Sequence, residues 1–202
     1  MNFVLALAKA ALYVMYRPKV KWLDPDMKKS FKNKPCIFVC NHITHNDGQM
    51  AGAILNRFKP YSLVAKDWYE KKLMGFFLKQ ARTIPIDRFN PDADWYSEGQ
   101  RVISEGFPML IFPEGSTAKD GIMKEFKPGA ALLAAKMSVP IVPCAIYGEY
   151  HKFFGKRQEF IIGKPIEMNC PTDMRLSKYA REQTETVQQT VRDMLKGSRN
   201  PH

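Results

Sequence analysis

The sequence predicts an α/β fold, with a central mixed and largely parallel sheet of about six or seven strands flanked by helices. From residue 35 onward, short apolar runs alternate with amphipathic segments, the pattern of strands joined by covering helices. Several of these runs are continuously apolar, as in central strands covered on both faces. The 202 residues, 45% hydrophobic and 25% charged, suffice for one domain with a core. This composition excludes a disordered chain.

Each predicted element has the length and pattern of a strand or a helix. The strands are residues 36–40, 61–65, 83–87, 109–112, 140–147 and 160–166. The helices are residues 47–58, 67–81, 91–105, 128–138 and 175–196. Asn90 can cap a helix that has Pro91 at its first position, and Gly106 follows the last turn of that helix. The final helix has one apolar stripe, formed by Leu176, Tyr179, Val187, Val191 and Met194.

The N-terminal segment predicts a helix that lies at a membrane interface. Residues 3–16 are apolar except for Lys9, and as a helix they cover about 21 Å, too little to span a hydrocarbon core of about 30 Å. Lys9 is close enough to the polar edge of this helix to snorkel. A basic and aromatic group suited to an anionic bilayer follows, namely Arg17, Lys19, Lys21 and Trp22. The alternative is a helix that packs on its own domain.

These patterns divide the chain into three parts. Residues 1–22 form the anchor segment, residues 23–173 the α/β domain, and residues 174–202 an amphipathic helix with a polar tail. No secretory cleavage site follows the apolar start, and the four cysteines form no Cys-x-x-Cys pair. We therefore expect reduced thiols and a cytoplasmic location.

The net charge of +11, from 31 basic and 20 acidic residues, points to an anionic partner. Nucleic acid, anionic lipid and phosphorylated ligands are the candidates. Nucleic acid is disfavoured because the sequence has no recognised binding motif and its aromatic residues cluster in apolar runs.

The strongest local signal is the stretch Asn-His-Ile-Thr-His-Asn-Asp at residues 41–47, where a predicted strand ends and a helix begins. Strand ends are where α/β proteins bind ligands. Asp47 can hold one ring nitrogen of His42 and leave the other free as a general base. The activated hydroxyl can then belong to a substrate, so no protein nucleophile is required. A purely structural hydrogen bond is the alternative.

A metal site is a second interpretation of the same stretch, with His42, His45 and Asp47 as ligands. Metal sites usually recruit a further strong ligand from another segment. The remaining histidines, His151 and His202, lie in a basic loop and at the end of the chain. We therefore expect no metal, and we expect His45 to be a loop residue that faces solvent.

A second signal, Phe-Pro-Glu-Gly-Ser-Thr at residues 112–117, also follows a predicted strand. Gly115 allows backbone N–H groups to approach a ligand, and Ser116 and Thr117 add hydroxyl donors, which suits a phosphate or polar headgroup. Glu114 either bonds a substrate hydroxyl or holds neighbouring cations and N–H groups in place. Ser116 lacks the Gly-x-Ser-x-Gly context of a hydrolase nucleophile.

Three cations at element ends are further candidates for phosphate binding. Arg88 ends the strand Ile-Pro-Ile-Asp-Arg and can make a two-pronged phosphate contact, although a salt bridge to Asp87 is equally compatible with the sequence. Lys66 follows the strand 61–65, and Lys127 precedes a helix start, which itself favours phosphate.

Four motifs together resemble those of the 1-acylglycerol-3-phosphate (lysophosphatidic acid) acyltransferases. In order, they are Asn-His-x4-Asp, Pro-Ile-Asp-Arg, Phe-Pro-Glu-Gly-Ser and Val-Pro-Ile-Val-Pro, and the resemblance extends from about residue 20 to about residue 168. It implies transfer of a fatty acyl group from acyl-CoA or acyl carrier protein to the hydroxyl of a lysophospholipid, without a metal or redox cofactor, at the cytoplasmic face of a membrane.

The resemblance also implies roles for individual residues. His42 takes the proton of the acceptor hydroxyl and Asp47 supports the imidazolium, while Arg88, Glu114 and Gly115 bind the acceptor. The residues of the fourth motif belong to the acyl side, namely Val139, Pro140, Ile141, Val142 and Pro143.

One departure from the family pattern concerns the acceptor. The third motif usually reads Glu-Gly-Thr-Arg, whereas Ser116 and Thr117 take the last two places here. Lys66, Arg88 and Lys127 are candidates to replace the missing charge. The alternatives are another lyso-lipid or amino-lipid acceptor with the same chemistry, or a non-catalytic peripheral protein that holds anionic lipid.

Overall fold

A seven-stranded mixed sheet with helices packed against it forms the centre of the computed structural model, which describes residues 3–26, 34–87, 94–117, 122–151 and 153–199. The strands are β1 (Lys19–Trp22), β2 (Ile37–Cys40), β3 (Tyr61–Ala65), β4 (Thr83–Ile86), β5 (Met109–Ile111), β6 (Ile141–Tyr147) and β7 (Glu159–Ile162). The α-helices are α1 (Phe3–Tyr16), α2 (Asp47–Ile54), α3 (Lys72–Gln80), α4 (Asp94–Ser104), α5 (Gly129–Met137) and α6 (Leu176–Arg199).

The strand order is β1-β7-β6-β2-β5-β3-β4, and among these described strands only the β6–β7 pair is antiparallel. The predicted largely parallel sheet is therefore confirmed, and all six predicted strands occur in it. The central strand β2 is buried along its whole length, which accounts for its continuous apolar run. Because β2 and β5 are parallel neighbours, the chain segments that follow them emerge at the same edge of the sheet.

The seventh strand, β1, was not predicted. It pairs with β7 at the edge of the sheet, and Glu159 on β7 accepts from Lys21 at 2.8 Å and lies 3.2 Å from Lys19. Both lysines, predicted as part of a basic cluster for an anionic bilayer, are thus ion-paired at the edge of the sheet while their side chains stay partly exposed, and the bilayer contact stays a prediction. Residues 19–22, assigned to the anchor segment from the sequence, are part of the sheet.

Helix α1 has the predicted bounds and packs against α2 on one side. Lys9 faces this side, and its Nζ donates to Oδ1 of Asn56 at 2.9 Å. The prediction that Lys9 snorkels toward the membrane is therefore wrong. On the other side, Leu7 and Val14 remain 61% and 67% exposed. Within the described ranges, no helix is long and apolar enough to cross a membrane.

The predicted helix 67–81 is divided into a 3₁₀ turn (Lys66–Trp68) and α3. Between the two, the hydroxyl of Tyr69 donates to Thr83 Oγ1 at 2.6 Å, which connects this part of the chain to β4. The helix predicted at 91–105 is observed as α4, and Asn90 and Pro91, its predicted cap, lie outside the described residues. The predicted stripe on the final helix is confirmed, since Tyr179, Val187, Val191 and Met194 are buried.

Candidate active site

The side chain of Asn41 fixes the chain at the point where β2 ends. It is buried, its Nδ2 donates to the carbonyl of Ile146 at 3.0 Å, and its Oδ1 accepts the N–H of Ile146 at 2.7 Å. This pair of bonds replaces the backbone ladder between β2 and β6 beyond Cys40, the last paired residue of β2. The residues that follow Asn41 therefore begin from a fixed position at the carboxyl edge of the sheet.

His42 and Asp47 form a hydrogen-bonded pair at this edge. Nδ1 of His42 lies 3.0 Å from Oδ2 of Asp47, whose side chain is fully buried at the first position of α2. The same oxygen accepts the backbone N–H groups of Ile43 at 2.5 Å and Thr44 at 2.7 Å. An ionised carboxylate only accepts hydrogen bonds, so Nδ1 is assigned the proton and Nε2 is the basic nitrogen.

The imidazole of His42 is held from a second direction by Phe112. The two ring centroids are 4.5 Å apart, with an angle of 33° between the planes. The side chain of His42 retains 19% exposure and lines a groove, so the ring is fixed in position but accessible to a ligand.

Tyr150, from the segment after β6, completes the hydrogen bonds of Asp47. Its hydroxyl donates to Oδ1 of Asp47 at 2.7 Å. Burial, together with the neighbouring carboxylate, raises the pKa of Tyr150, which keeps this hydroxyl protonated as a donor. Its ring packs edge-on against Tyr16 at the end of α1, with centroids 5.2 Å apart.

Replacement of Tyr150 by phenylalanine tests this contact. Loss of a hydrogen bond to a buried charged acceptor should lower the free energy of unfolding by about 1.5–3 kcal/mol. The activity should fall less than after loss of His42, because Asp47 keeps the two backbone N–H groups that orient it. Chemical denaturation and kcat measure the two effects, with the exposed Tyr13→Phe as the control. Equal stability of Tyr150→Phe and the wild type would contradict the assignment.

Glu114 has a structural role in this site. It is buried, Oε1 accepts the backbone N–H of His42 at 2.7 Å, and Oε2 accepts the backbone N–H of Lys124 at 2.8 Å. Burial raises the pKa of Glu114, and the two N–H groups oppose that shift. Of the two predicted roles, the geometry matches the one in which Glu114 holds neighbouring N–H groups.

The turn after β5 carries the hydroxyl and ammonium groups of the site. Gly115 has a φ of +73°, and a Cβ atom there would lie 3.1 Å from Nζ of Lys127. Nζ of Lys124 donates to Oγ of Ser116 and to the carbonyl of Thr117, both at 2.8 Å. Two ammonium groups therefore lie at this turn.

A groove of about 1360 Å³ contains His42 in its wall. It exceeds the usual range of about 300–1,000 Å³ for small-molecule sites and is mostly apolar. Residues of α1, α2, β3 and α3 contribute to it, as do the predicted residues Gly115, Ser116, Thr117 and Lys127. The base, the hydroxyl groups and an ammonium group therefore share one groove.

The other predicted site residues differ in their position relative to the groove. Lys66 is exposed in the 3₁₀ turn after β3 and does not line the groove. Arg88 lies outside the described residues. His45 is exposed, as predicted, but it also lines the groove, and its ring lies 5.4 Å from that of Trp68. Among the described residues, no cluster of three potential ligands suits a metal ion.

The acyl-side role of the fourth motif stays a prediction, and its residues lie outside the groove that contains His42. None of these five residues, all described, lines the groove: Val139, Pro140, Ile141, Val142 and Pro143. Pro143 pairs with Val39, three residues before His42, and the rest of the motif lies farther toward the opposite edge of the sheet. Their apolar character reflects their position in the core.

Sequence reasoning missed Tyr150 and Lys124 as parts of the site. Tyr150 is 103 positions from Asp47 along the chain, and Lys124 is 10 positions from Glu114. No local spacing identifies either contact, since the first depends on the order of the strands in the sheet and the second on the path of the connection between β5 and α5.

Comparison with known proteins identifies the family. The acyltransferase family model matches residues 23–147. A 1-acyl-sn-glycerol-3-phosphate acyltransferase of Bacillus subtilis is 26% identical over 165 residues, covering 78% of this chain and 80% of its own length. A chloroplastic one of Brassica napus is 27% identical over 144 residues, which are 70% of this chain but only 40% of that protein.

The fold has a counterpart of known structure. The crystal structure of the 1-acyl-sn-glycerophosphate acyltransferase of Thermotoga maritima superposes with a TM-score of 0.65 at 18% identity, over 93% of this chain and 78% of that one. The family match, which contains His42, Asp47 and the turn at Gly115, covers well over half of the sequence. The chain therefore belongs to the acyltransferase family, among relatives named as 1-acyl-sn-glycerol-3-phosphate acyltransferases.

Proposed function

We propose that the protein is an O-acyltransferase that moves a fatty acyl group from acyl-CoA or acyl carrier protein to the free hydroxyl of lysophosphatidic acid, giving phosphatidic acid. The observation that carries this proposal is the 3.0 Å contact between His42 and the buried Asp47 in the wall of a large apolar groove. The names of the relatives support the substrate class. The proposed location is the cytoplasmic face of a membrane.

In the proposed mechanism, Nε2 of His42 removes the proton of the acceptor hydroxyl as its oxygen attacks the thioester carbonyl. The carbonyl becomes a tetrahedral oxyanion, which collapses and breaks the carbon–sulfur bond. The imidazolium returns its proton to the leaving sulfur, so the products are the ester and a free thiol. Asp47 stabilises the imidazolium between these two proton transfers. The reaction as proposed uses no protein nucleophile and no further cofactor.

The groove provides the binding surface for the fatty chains. Its apolar lining removes methylene groups from water, worth about 0.8 kcal/mol for each fully buried group. Leu63 on β3, Leu12 on α1 and Phe77 on α3 contribute to this lining. In the proposal these residues take the acyl-side role that the sequence assigned to the fourth motif.

The acceptor phosphate is proposed to bind at the turn after β5. Ser116 and Thr117 line the groove there. The ammonium group of Lys124 donates hydrogen bonds to both residues and supplies the positive charge that the third motif lacks. Lys127 adds a second ammonium group that also lines the groove. This arrangement supports a phosphate-bearing acceptor although the family arginine is absent.

Removal of either ammonium group should weaken the binding of a phosphate-bearing acceptor. We expect Lys127→Ala and Lys124→Ala each to raise the KM for lysophosphatidic acid about three- to tenfold, because both side chains are exposed and partly screened. The value of kcat should change little. Steady-state kinetics measure this, with Lys136→Ala, an exposed lysine on α5, as the control. An unchanged KM in both variants would mean that the acceptor phosphate does not bind at the turn after β5.

An activity panel of donors and acceptors tests the proposal as a whole. Purified full-length protein is incubated with palmitoyl-CoA or palmitoyl acyl carrier protein, and with lysophosphatidic acid, other lysophospholipids or a hydroxylated amino-lipid. We expect phosphatidic acid as the main product in mass spectrometry. Preference for another acceptor would keep the chemistry and change the substrate. Absence of acylation with every pair would refute the proposal and favour a lipid-binding protein without catalysis.

A further inference from the structure

Helix α3 leaves its apolar side chains largely uncovered by the protein. Of its nine residues only Gly75 is buried, although five of the others are large and apolar. Leu73 is 74% exposed and Phe76 is 55% exposed. These two residues are three positions apart, so they are neighbours on one side of the helix. A helix with this pattern normally buries its apolar side against another surface.

The other side of α3 forms a wall of the groove that contains His42. Met74, Phe77 and Leu78 line the groove and are half-buried, and Leu73 also contributes to the lining. The exposed apolar side of α3 is therefore continuous with the apolar interior of the groove.

Helix α1 repeats this arrangement in another part of the wall. Leu12 and Met15 line the groove and are half-buried, whereas Leu7 and Val14 are 61% and 67% exposed, and Val14 also lines the groove. On each of two separate helices, apolar side chains therefore extend from the groove to the protein surface.

The charge around α3 identifies the kind of surface that covers it. Residues 71–82 contain no carboxylate and four cations, namely Lys71, Lys72, Lys79 and Arg82. All four are exposed. The ammonium group of Lys71 lies 3.7 Å from the ring centroid of Trp68, an aromatic residue in the groove wall. Exposed apolar residues flanked by cations are the composition of a helix at the interface of an anionic bilayer.

We infer that α3 is a second membrane-docking element, which acts together with α1. Leu73 and Phe76 insert into the interfacial region of a bilayer that contains anionic lipid, and the surrounding cations contact the lipid phosphates. The groove wall then meets the bilayer at two helices, so a lipid substrate enters the groove without crossing water. The route of entry rests on the proposed function, whereas the docking of α3 does not.

Vesicle binding without substrate tests the docking of α3 separately from catalysis. The full-length protein and the variant Leu73→Gln/Phe76→Gln are sedimented with vesicles of phosphatidylcholine that contain phosphatidylglycerol. Glutamine keeps helix propensity and removes the apolar surface. We expect the variant to bind at least about tenfold more weakly, since partial burial of a leucine and a phenylalanine easily exceeds the 1.4 kcal/mol that corresponds to a factor of ten.

The control variant is Leu23→Gln/Ile122→Gln, which alters two exposed apolar residues outside α1 and α3. Circular dichroism and the Tm verify that both double variants are folded. Equal vesicle binding of the wild type and the α3 variant would overturn the inference, as would an equal loss in the control. Loss of self-association in the α3 variant, with vesicle binding intact, would identify α3 as a contact between copies of the chain and would also overturn it.

A second measurement separates entry of the substrate from chemistry. With a short-chain acceptor and donor dissolved as monomers, the single variant Phe76→Gln, which alters a residue of α3 outside the groove lining, should keep the wild-type kcat. With the acceptor embedded in vesicles, the rate of this variant should fall in parallel with its vesicle binding. Equal rates on both forms of substrate would overturn lateral entry. A protein inactive on both forms would refute the proposed function and leave the vesicle-binding result on α3 standing.

Discussion

The His42→Ala variant is expected to lose acyl transfer by about 10²- to 10⁴-fold in kcat, because general base catalysis contributes this much to a typical reaction. Its free energy of unfolding should also fall, by about 1.5–3 kcal/mol, because the hydrogen bond from Nδ1 to the buried carboxylate of Asp47 is lost. The variant should still fold, since the backbone N–H of His42, which bonds to Glu114, remains after the substitution. The measurement is kcat at saturating donor and acceptor, together with thermal unfolding of the same preparation.

A matched control strengthens this experiment. His151→Ala removes an imidazole that is exposed and lies 3.5 Å from the exposed carboxylate of Glu149, so its activity should equal that of the wild type. If His42→Ala kept more than a tenth of the wild-type activity, the base would have to be another group. Loss of vesicle binding in this variant is not expected, since His42 lies in the groove wall and not among the exposed apolar residues of α1 and α3.

The parts of the molecule that were predictable from the sequence are those encoded by neighbouring residues. Strand β2 is a short, continuous apolar run, and the pair His42 and Asp47 lies within six residues of chain directly after it. Local geometry brings this pair together through the backbone N–H groups of Ile43 and Thr44, which turn around the carboxylate. The sheet and the central part of the site therefore followed from local patterns.

The parts that were not predictable depend on contacts between distant segments. Lys9 has the pattern of a snorkelling residue, yet Asn56, 47 positions away, binds its ammonium group inside the groove. Its pKa is lowered by burial and by the neighbouring Arg82. The alternation of Lys19, Val20, Lys21 and Trp22 is the period-two pattern of a half-buried strand, but four residues are too few to distinguish it from a basic linker.

The fourth motif shows what an apolar pattern leaves undecided. Ile141 and Val142 have the character expected of an acyl-binding surface, and the same character is expected of a central strand. Only the register, which sets Phe38 opposite Val142, shows that this motif lies away from His42 along the sheet. An apolar sequence by itself therefore does not distinguish a core strand from a lipid-binding wall.

The Asp47→Asn variant should separate the charge of the carboxylate from its hydrogen bonds. The amide oxygen of asparagine can occupy the position of Oδ2 and accept from His42, Ile43 and Thr44, while the amide nitrogen faces the hydroxyl of Tyr150, which can rotate to accept. The variant should therefore fold, with a free energy of unfolding lower by about 1–3 kcal/mol. Alanine at this position would instead leave several buried donors unpaired. A loss of activity in that variant could not be separated from a loss of stability.

The activity of Asp47→Asn should nevertheless fall by up to about 10⁴-fold, as for the equivalent change in a serine-protease triad, because an amide neither enforces the correct tautomer of the imidazole nor supplies a charge that stabilises the imidazolium. The exposed Asp173→Asn is the control for a carboxylate-to-amide change, and kcat and unfolding are measured on both. If His42 and Asp47 act as one unit, the double variant His42→Ala/Asp47→Asn should lose no more activity than His42→Ala alone. Additive losses would mean that Asp47 acts on the reaction through another group, and the proposed mechanism would have to be replaced.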